Sequence, residues 1–550
     1  MRDEQRREKI DRWLSFPDPS TNYNKALGQR HERSGSWFLE SDTFDKWKMQ
    51  RNSFLWLHGI PGCGKTILSS AIIKDLESIP SFQPLLYFYF DFNDPGKQGL
   101  ESMVRSLVSQ LSRNSDDTWK PLDSLFSACR DGCQQPTCEL LCNVFLHMIE
   151  QAKEVWLVLD ALDECITRAG PSTKGLLSWI RELLNSKQRN VHLLVTSRPE
   201  QDIESEIMGF AHIDDVVHIQ SSLITDDIRA YVRTVVREDD RLKRWRSRPD
   251  VQSEIETRVM EKADGMFRWT VCQLDALEDC LEYRSLHKAL GSLPKTLDET
   301  YARILRGIPE GHKQYATRIL QFLTYSQRPL RIEEAVDAIV VDTKGDEYFN
   351  PKYRLPEPRE ILRYCSSLVV VVSAKEHSYN KDDKSEELRL AHFSVKEYLT
   401  SNRLREDMAQ SFQETVVKTS IAIICLAYLL HLDFELPIAE IKNGFPLAEY
   451  CATYWITYAA VAESMDETLQ RFIREFFCSH RISYTNCYNL YRPDNSEKHG
   501  EPASALYYAS FGGLVNAVKY LLSQGADVNE RGGFHGNALP AASRQGHDEI

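Results

Sequence analysis

Apolar residues recur along this chain at two periods, and the switches between them divide it. Residues 1–35 form a polar, helix-like stretch broken by Pro17, Pro19 and Asn22, which predicts a short helix leading into a linker. From 37 to about 199, short apolar runs alternate with stretches of helical spacing. Phe54-Leu55-Trp56-Leu57, the aromatic run Leu85-Leu86-Tyr87-Phe88-Tyr89-Phe90-Asp91-Phe92, Val155-Trp156-Leu157-Val158-Leu159 and Val191-His192-Leu193-Leu194-Val195 read as four strands covered on both faces. Leu100, Met103, Val104, Leu107, Val108 and Leu111 fall on one helical face between the second and third. Such alternation predicts a parallel sheet with right-handed crossovers.

Beyond the sheet, residues 201–293 read as a helical lid domain that Pro294 closes. Residues 294–405 predict three helices (315–325, 332–339, 359–364) and two strands (368–372, 388–391) around a charged loop at 375–387, the outline of a winged helix. Residues 406–500 read as a helical linker domain, with Trp455, Phe472, Phe476 and Phe477 as core candidates. In 501–550, Ser504-Ala505-Leu506-Tyr507-Tyr508-Ala509 with Gly513 recurs as Asn537-Ala538-Leu539-Pro540-Ala541-Ala542 with Gly546. Leu521-Leu522-Ser523-Gln524-Gly525-Ala526-Asp527-Val528-Asn529 lies between, the pattern of ankyrin repeats, here truncated. The fold class expected is multidomain α/β plus α: a parallel-sheet α/β core (36–200), whose chemistry is read below as that of a P-loop, a helical lid, a winged helix, a helical linker and the start of an ankyrin-repeat solenoid.

The totals change this picture little. The 550 residues, 42% apolar and 27% charged, predict a soluble globular protein of several domains. A net charge of −13 argues against a broad nucleic-acid surface, so the winged helix is not expected to bind DNA. The apolar run 421–430 is too short to span a bilayer and predicts a buried helix; the charged N-terminus lacks a signal core, giving a cytoplasmic expectation. Thirteen scattered cysteines fit free thiols, and Cys129, Cys133, Cys138 and Cys142 are spaced too widely for a zinc knuckle.

Chemistry concentrates at four places. Gly59-Ile60-Pro61-Gly62-Cys63-Gly64-Lys65-Thr66 sits between a buried strand and a helix, the setting a phosphate-binding P-loop requires. Its glycines let backbone N–H groups wrap phosphate oxygens, Lys65 reaches the β- and γ-phosphates, and the Thr66 hydroxyl suits Mg²⁺. Asp160 ends the third strand, beside the P-loop strand, where a magnesium carboxylate belongs; Glu164, or else Asp163, could orient the attacking water, the alternative being a solvated helix start. Arg198 ends the fourth strand and either senses the γ-phosphate or forms a surface ion pair. His392 lies just ahead of Ser394 and Glu397, which fit a capping box, and reads first as a structural turn residue.

In this order the motifs resemble the NACHT class of P-loop signalling NTPases, particularly fungal NOD-like receptors. The carriers are Phe54 through Thr66, Leu157-Val158-Leu159-Asp160-Ala161-Leu162-Asp163-Glu164, Thr196-Ser197-Arg198-Pro199-Glu200 and the lid stretch Ala263-Asp264-Gly265-Met266-Phe267-Arg268-Trp269. The core is similar to the nephrocystin-type module, and residues 300–405 to the winged helix of GPI inositol-deacylase-like proteins. The resemblance implies ATP/ADP and Mg²⁺ as cofactors and gives His392 a contact with the ADP β-phosphate. It implies a switch in which exchange drives opening and homo-oligomerisation, slow hydrolysis resets it, and the ankyrin region holds a protein partner, in fungal non-self recognition or heterokaryon incompatibility. A constitutive ATPase and an ankyrin scaffold with a structural nucleotide stay open. The absence of a Gly-x-Ser-x-Gly elbow argues against the lipid-cleaving role that the winged-helix likeness suggests.

Overall fold

The computed structural model describes residues 2–79, 84–152, 154–185, 190–345, 347–375, 384–404, 406–494 and 501–550. Two units partition the chain, Met1–Thr300 and Tyr301–Ile550.

The first unit is built on five parallel strands: β1 (Phe54–His58), β2 (Leu85–Tyr89), β3 (Glu154–Asp160), β4 (Asn190–Ser197) and β5 (Val216–His218). Their spatial order is β2-β3-β4-β1-β5. Helices cover both faces, so the strands read as continuous apolar runs with Leu57, Leu157, Leu159, Leu193 and Val195 fully buried. Leu107, Leu111, Phe145, Met148 and Trp179 supply helix faces that complete the core.

Three sequence expectations need correction here. β3 does not lie beside the P-loop strand; β4 is inserted between β1 and β3. A fifth strand, too short for its period to register, pairs Trp56 to Val216 and His58 to His218, so the sheet domain runs past 200. The short helix expected at the start of the chain is present, but it does not lead into a linker. In α1 (Arg2–Leu14), Ile10, Trp13 and Leu14 make one helical face that is buried in the sheet domain's core. Trp13 sets its ring edge against Phe126 and donates Nε1–H to the Gln134 carbonyl at 2.8 Å. In α2 (Ser20–Gln29), Tyr23 donates to Glu77 at 2.7 Å. Only three apolar residues in a charged helix carry this docking, which is why the pattern reads as polar.

The lid segment is helical as expected: Ser221–Glu238, Pro249–Met260, Phe267–Glu278 and Tyr283–Gly291. Trp269 donates to the Pro294 carbonyl at 3.1 Å and Lys262 to that of Leu293, so 294 stays with the lid rather than opening the next domain.

In the second unit, helices Glu310–Tyr325 and Ile332–Val340, a 3-10 turn running into Leu362–Cys365, and an antiparallel sheet β6 (Leu330–Arg331), β7 (Val369–Lys375) and β8 (Lys384–Leu390) make the winged-helix outline. Pairing continues to Lys375↔Lys384, so part of the charged segment expected as loop is strand; its tip, 376–383, lies outside the described residues. The apolar run 421–430 sits in the helix Glu414–His431, which is long and apolar enough to cross a membrane by composition. Its Ile421, Cys425 and Tyr428 are wholly buried within the unit. Trp455, Phe472 and Phe476 are buried beside them, while Phe477 is half-buried against Trp455. At the end of the chain, helices Ala505–Phe511 and Ala538–Gln545 begin at Ser504 and Asn537, and Gly513 and Gly546 both take positive φ.

Trp13→Ala should destabilise the first unit by about 3–5 kcal/mol, the usual cost of emptying a large aromatic site. Urea unfolding followed by fluorescence checks this; a solvated linker would show a change near zero.

Candidate functional site

The carboxyl edge of the sheet gathers most of the residues that the sequence singled out. After β1, the loop Gly59 to Gly64 turns through positive φ at Gly62 (77°) and Gly64 (95°), conformations that side chains with a Cβ rarely adopt. A Cβ on Gly59 would sit 2.9 Å from the buried Cys63 Sγ. Gly64 caps the helix Lys65–Glu77, whose N-terminus therefore opens at the loop. The Lys65 ammonium lies across the loop, donating to the carbonyls of Gly59 at 2.9 Å and Ile60 at 3.1 Å. Burial, His218 and Lys65 together depress the neighbouring His58 to about 4, so it adds no second cation at neutral pH.

Asp160 ends β3 and is 1% exposed. It accepts hydroxyl hydrogens from Thr66 at 2.8 Å, Ser69 at 2.6 Å and Thr196 at 2.7 Å. Burial raises its carboxyl, and the three hydroxyl bonds pull against that. Thus Asp160 meets Thr66 although a strand separates their parent strands: Thr196 on β4 fills the gap. The Thr66 hydroxyl and Asp160 are hard oxygen donors within one hydrogen bond of each other, the donor set that fits Mg²⁺.

Asp163 and Glu164 lie in a 3-10 turn, Leu162–Glu164, entered through Ala161 at φ 59°. They are not a solvated helix start: the Asp163 side chain is only 5% exposed, and Glu164 is half-buried. Arg198 donates its backbone N–H to Asp163 at 3.0 Å and its Nε at 2.7 Å, and pairs with Glu200 at 3.0 Å. Arg168 joins them through Glu200 and Asp202. Glu164 accepts the Phe92 N–H at 2.9 Å. Burial, then the carboxylates of Asp163 and Asp91, raise its carboxyl well above the usual range. The two acids are thus differently engaged: Asp163 holds a cation, Glu164 keeps a high proton affinity.

The lid rests on the loop. Arg268 donates its backbone N–H to the Gly62 carbonyl at 3.2 Å, and a Cβ on Gly62 would meet Arg268 Cβ at 2.7 Å. His392 belongs to the second unit. It is itself the cap of the helix Phe393–Leu399, its Nδ1 accepting from the Ser394 N–H at 3.1 Å, so Ser394 is not the cap that the sequence suggested. Ser69, Thr196, Arg168 and Arg268 were not singled out as site residues from sequence. Ser69 lies one helical turn beyond Thr66, a spacing that places both on one face and could have found it.

Residues 33–198 match the family described as nephrocystin 3, N-terminal, and residues 305–411 match the GPI inositol-deacylase winged helix domain. The chain is 33% identical over 287 residues to azaphilone pigments biosynthesis cluster protein L of Monascus ruber, covering 48% of this chain and 59% of that protein. It is 24% identical over 411 residues to the vegetative incompatibility protein HET-E-1 of Podospora anserina, covering 72% of this chain and 28% of that protein. The chain therefore spans less than two thirds of the length of either relative. A solved structure, the Walker-type ATPase of Pyrococcus abyssi, overlays at TM-score 0.31 and 16% identity over 67% of this chain and 97% of that one. The fold assignment rests on the strand order and pairing above, not on that overlay.

Gly62→Ala should cost about 1–2 kcal/mol for the left-handed backbone alone. Contact with Arg268 adds to it, and nucleotide affinity should fall more steeply than melting temperature, measured by calorimetry and thermal unfolding.

Proposed function

We propose that this chain is a NACHT-type P-loop NTPase and works as an ATP/ADP-operated signalling switch in a fungal cell, a reading supported by the two family matches and the incompatibility-protein relative. The observation that carries this reading is a shared loop: the segment that presents Lys65 and Thr66 to phosphate also supports the lid through Gly62 and Arg268. A ligand that fills the loop therefore bears on the lid.

Loop amides from Gly62 to Thr66 and the Lys65 ammonium hold the phosphates, exchanging the carbonyls of Gly59 and Ile60 for phosphate oxygens. Thr66 and Asp160 hold Mg²⁺, which when bound screens the phosphate charge. Glu164 accepts the proton of the attacking water, a task its raised proton affinity suits, and slow hydrolysis resets the switch. Exchange of ADP for ATP opens the protein for self-assembly, and the repeat-like helices at 501–550 take a protein partner. The likeness to a vegetative incompatibility protein supports non-self recognition as the downstream role. Moving such a switch from mostly closed to mostly open takes about 5.5 kcal/mol of differential affinity.

Denaturing the purified protein and chromatographing the extract should release ADP near one per chain. Lys65→Ala should lower nucleotide affinity by about 10- to 150-fold, the loss of one charged hydrogen bond of about 1.5–3 kcal/mol. Sedimentation should give a small species with ADP and a larger one with ATP. Identical sizes with ADP, ATP and no nucleotide would overturn the switch, and Lys65→Ala that leaves partner binding intact would favour the scaffold.

A further inference from the structure

The turn after β2 is a closed polar knot with no assigned role. The Asp94 N–H bonds the Asp91 carbonyl, the Lys97 N–H bonds that of Asp94, and Asp91 and Lys97 are 6% and 3% exposed. A buried ammonium is costly unless fully satisfied. Here two of the oxygens come from the N-terminal segment: Lys97 Nζ donates to Thr21 Oγ1 at 2.7 Å and Asn22 Oδ1 at 2.6 Å, and Asp94 lies at 3.9 Å. The other end of the same amide, Asn22 Nδ2, donates to Asp91 Oδ2 at 2.8 Å.

One residue beyond Asp91, the Phe92 N–H holds Glu164. Gln98 grips the carbonyls of Asp91 and Phe92 at 3.3 and 2.9 Å, and the Ile166 N–H bonds the Gln98 carbonyl at 2.8 Å. Leu100 N–H to Thr167 Oγ1 at 2.8 Å closes a second stitch between this turn and the segment after Glu164. The turn is therefore fixed on one side by the Glu164 loop and on the other by Thr21 and Asn22.

We propose that Asn22, Asp91 and Lys97 are positioning residues for Glu164, clamping the turn whose Phe92 amide orients its carboxylate and so coupling the N-terminal segment to hydrolysis. This rests on the reading of Glu164 as the proton acceptor. The clamp acts on orientation and not on phosphate binding, because none of its three residues lies in the P-loop. Displacing a proton acceptor by a fraction of an ångström costs rate, whereas the loop amides and Lys65 are untouched.

The test compares full-length wild type with Asn22→Ala, Lys97→Met, Lys97→Arg and Glu164→Gln. ADP affinity is read by calorimetry, conversion of pre-bound labelled ATP in a single turnover, and exchange of the Phe92 amide by hydrogen–deuterium exchange. All variants should bind ADP within about twofold of wild type. Glu164→Gln should slow conversion at least about 100-fold, as loss of a general base does, and Asn22→Ala about tenfold. Lys97→Arg should recover more rate than Lys97→Met, and Phe92 exchange should quicken in Asn22→Ala. If Lys97→Met does not fold, the half-buried Asn22 decides the matter alone. Wild-type conversion in Asn22→Ala overturns the inference, as does a rate loss matched by an equal loss of ADP affinity. If wild type binds ATP and never converts it, the clamp has no reaction to serve and falls while the switch stands. If it binds no nucleotide, both fall.

Discussion

A single buried carboxylate sets the geometry of the candidate site. Asp160 cannot be ionised inside the sheet domain without hydrogen bonds, and it collects three, from two elements that chain order keeps apart. Thr66 and Ser69 come from the P-loop helix and Thr196 from β4. Hydrogen bonds to a charged group contribute about 1.5–3 kcal/mol each, so the three together outweigh any single loop contact nearby. They fix the helix against the sheet, and the helix N-terminus fixes where the glycine loop can turn. The Lys65 reach, the Gly62 contact with the lid and the Asp160–Thr66 spacing follow from that registration.

What was legible in the sequence is what local chemistry dictates. The glycine positions, the Lys-Thr pair and the acid at a strand end all announce themselves, since each needs a particular residue type at a fixed offset. Strand order does not announce itself: nothing in Val155 to Leu159 tells that β4 will be inserted beside it, because both strands are equally apolar. The three-residue β5 is shorter than any period that can be counted. The N-terminal docking was missed because the charged residues of α1 outnumber Ile10, Trp13 and Leu14, although their spacing is helical. His392 shows the opposite failure: the capping signal was seen, but the histidine itself supplies the cap.

If the protein is the switch proposed above, the network around Asp163 bears on how it discriminates its ligands. A ligand shifts an equilibrium only by its differential affinity for the two states. ADP and ATP share the α- and β-phosphates, so loop contacts to those two phosphates, and the Gly62 support of the lid, cannot by themselves tell them apart. Discrimination has to come from groups that meet the third phosphate or its absence.

With Arg198 taken as the γ-phosphate sensor, one of its two sequence readings, the discriminating groups besides Lys65 lie at the carboxyl ends of β3 and β4, and they are already engaged. Arg198 is held by Asp163 and Glu200, with Arg168 closing the ring. For Arg198 to turn toward a γ-phosphate, its pair with the largely buried Asp163 must be exchanged and not merely supplemented. Breaking a buried pair leaves an uncompensated charge, a cost of about 3–5 kcal/mol when nothing replaces the lost partner. Arg168 already donates to the Asp163 backbone carbonyl, so a second guanidinium stands close enough to take over part of the compensation. The cost of exchange is therefore lower than that of an isolated buried pair, but not zero. On the switch reading, a barrier of that kind would hold the resting state without tight ADP binding and would make arrival of the third phosphate the event that changes the protein.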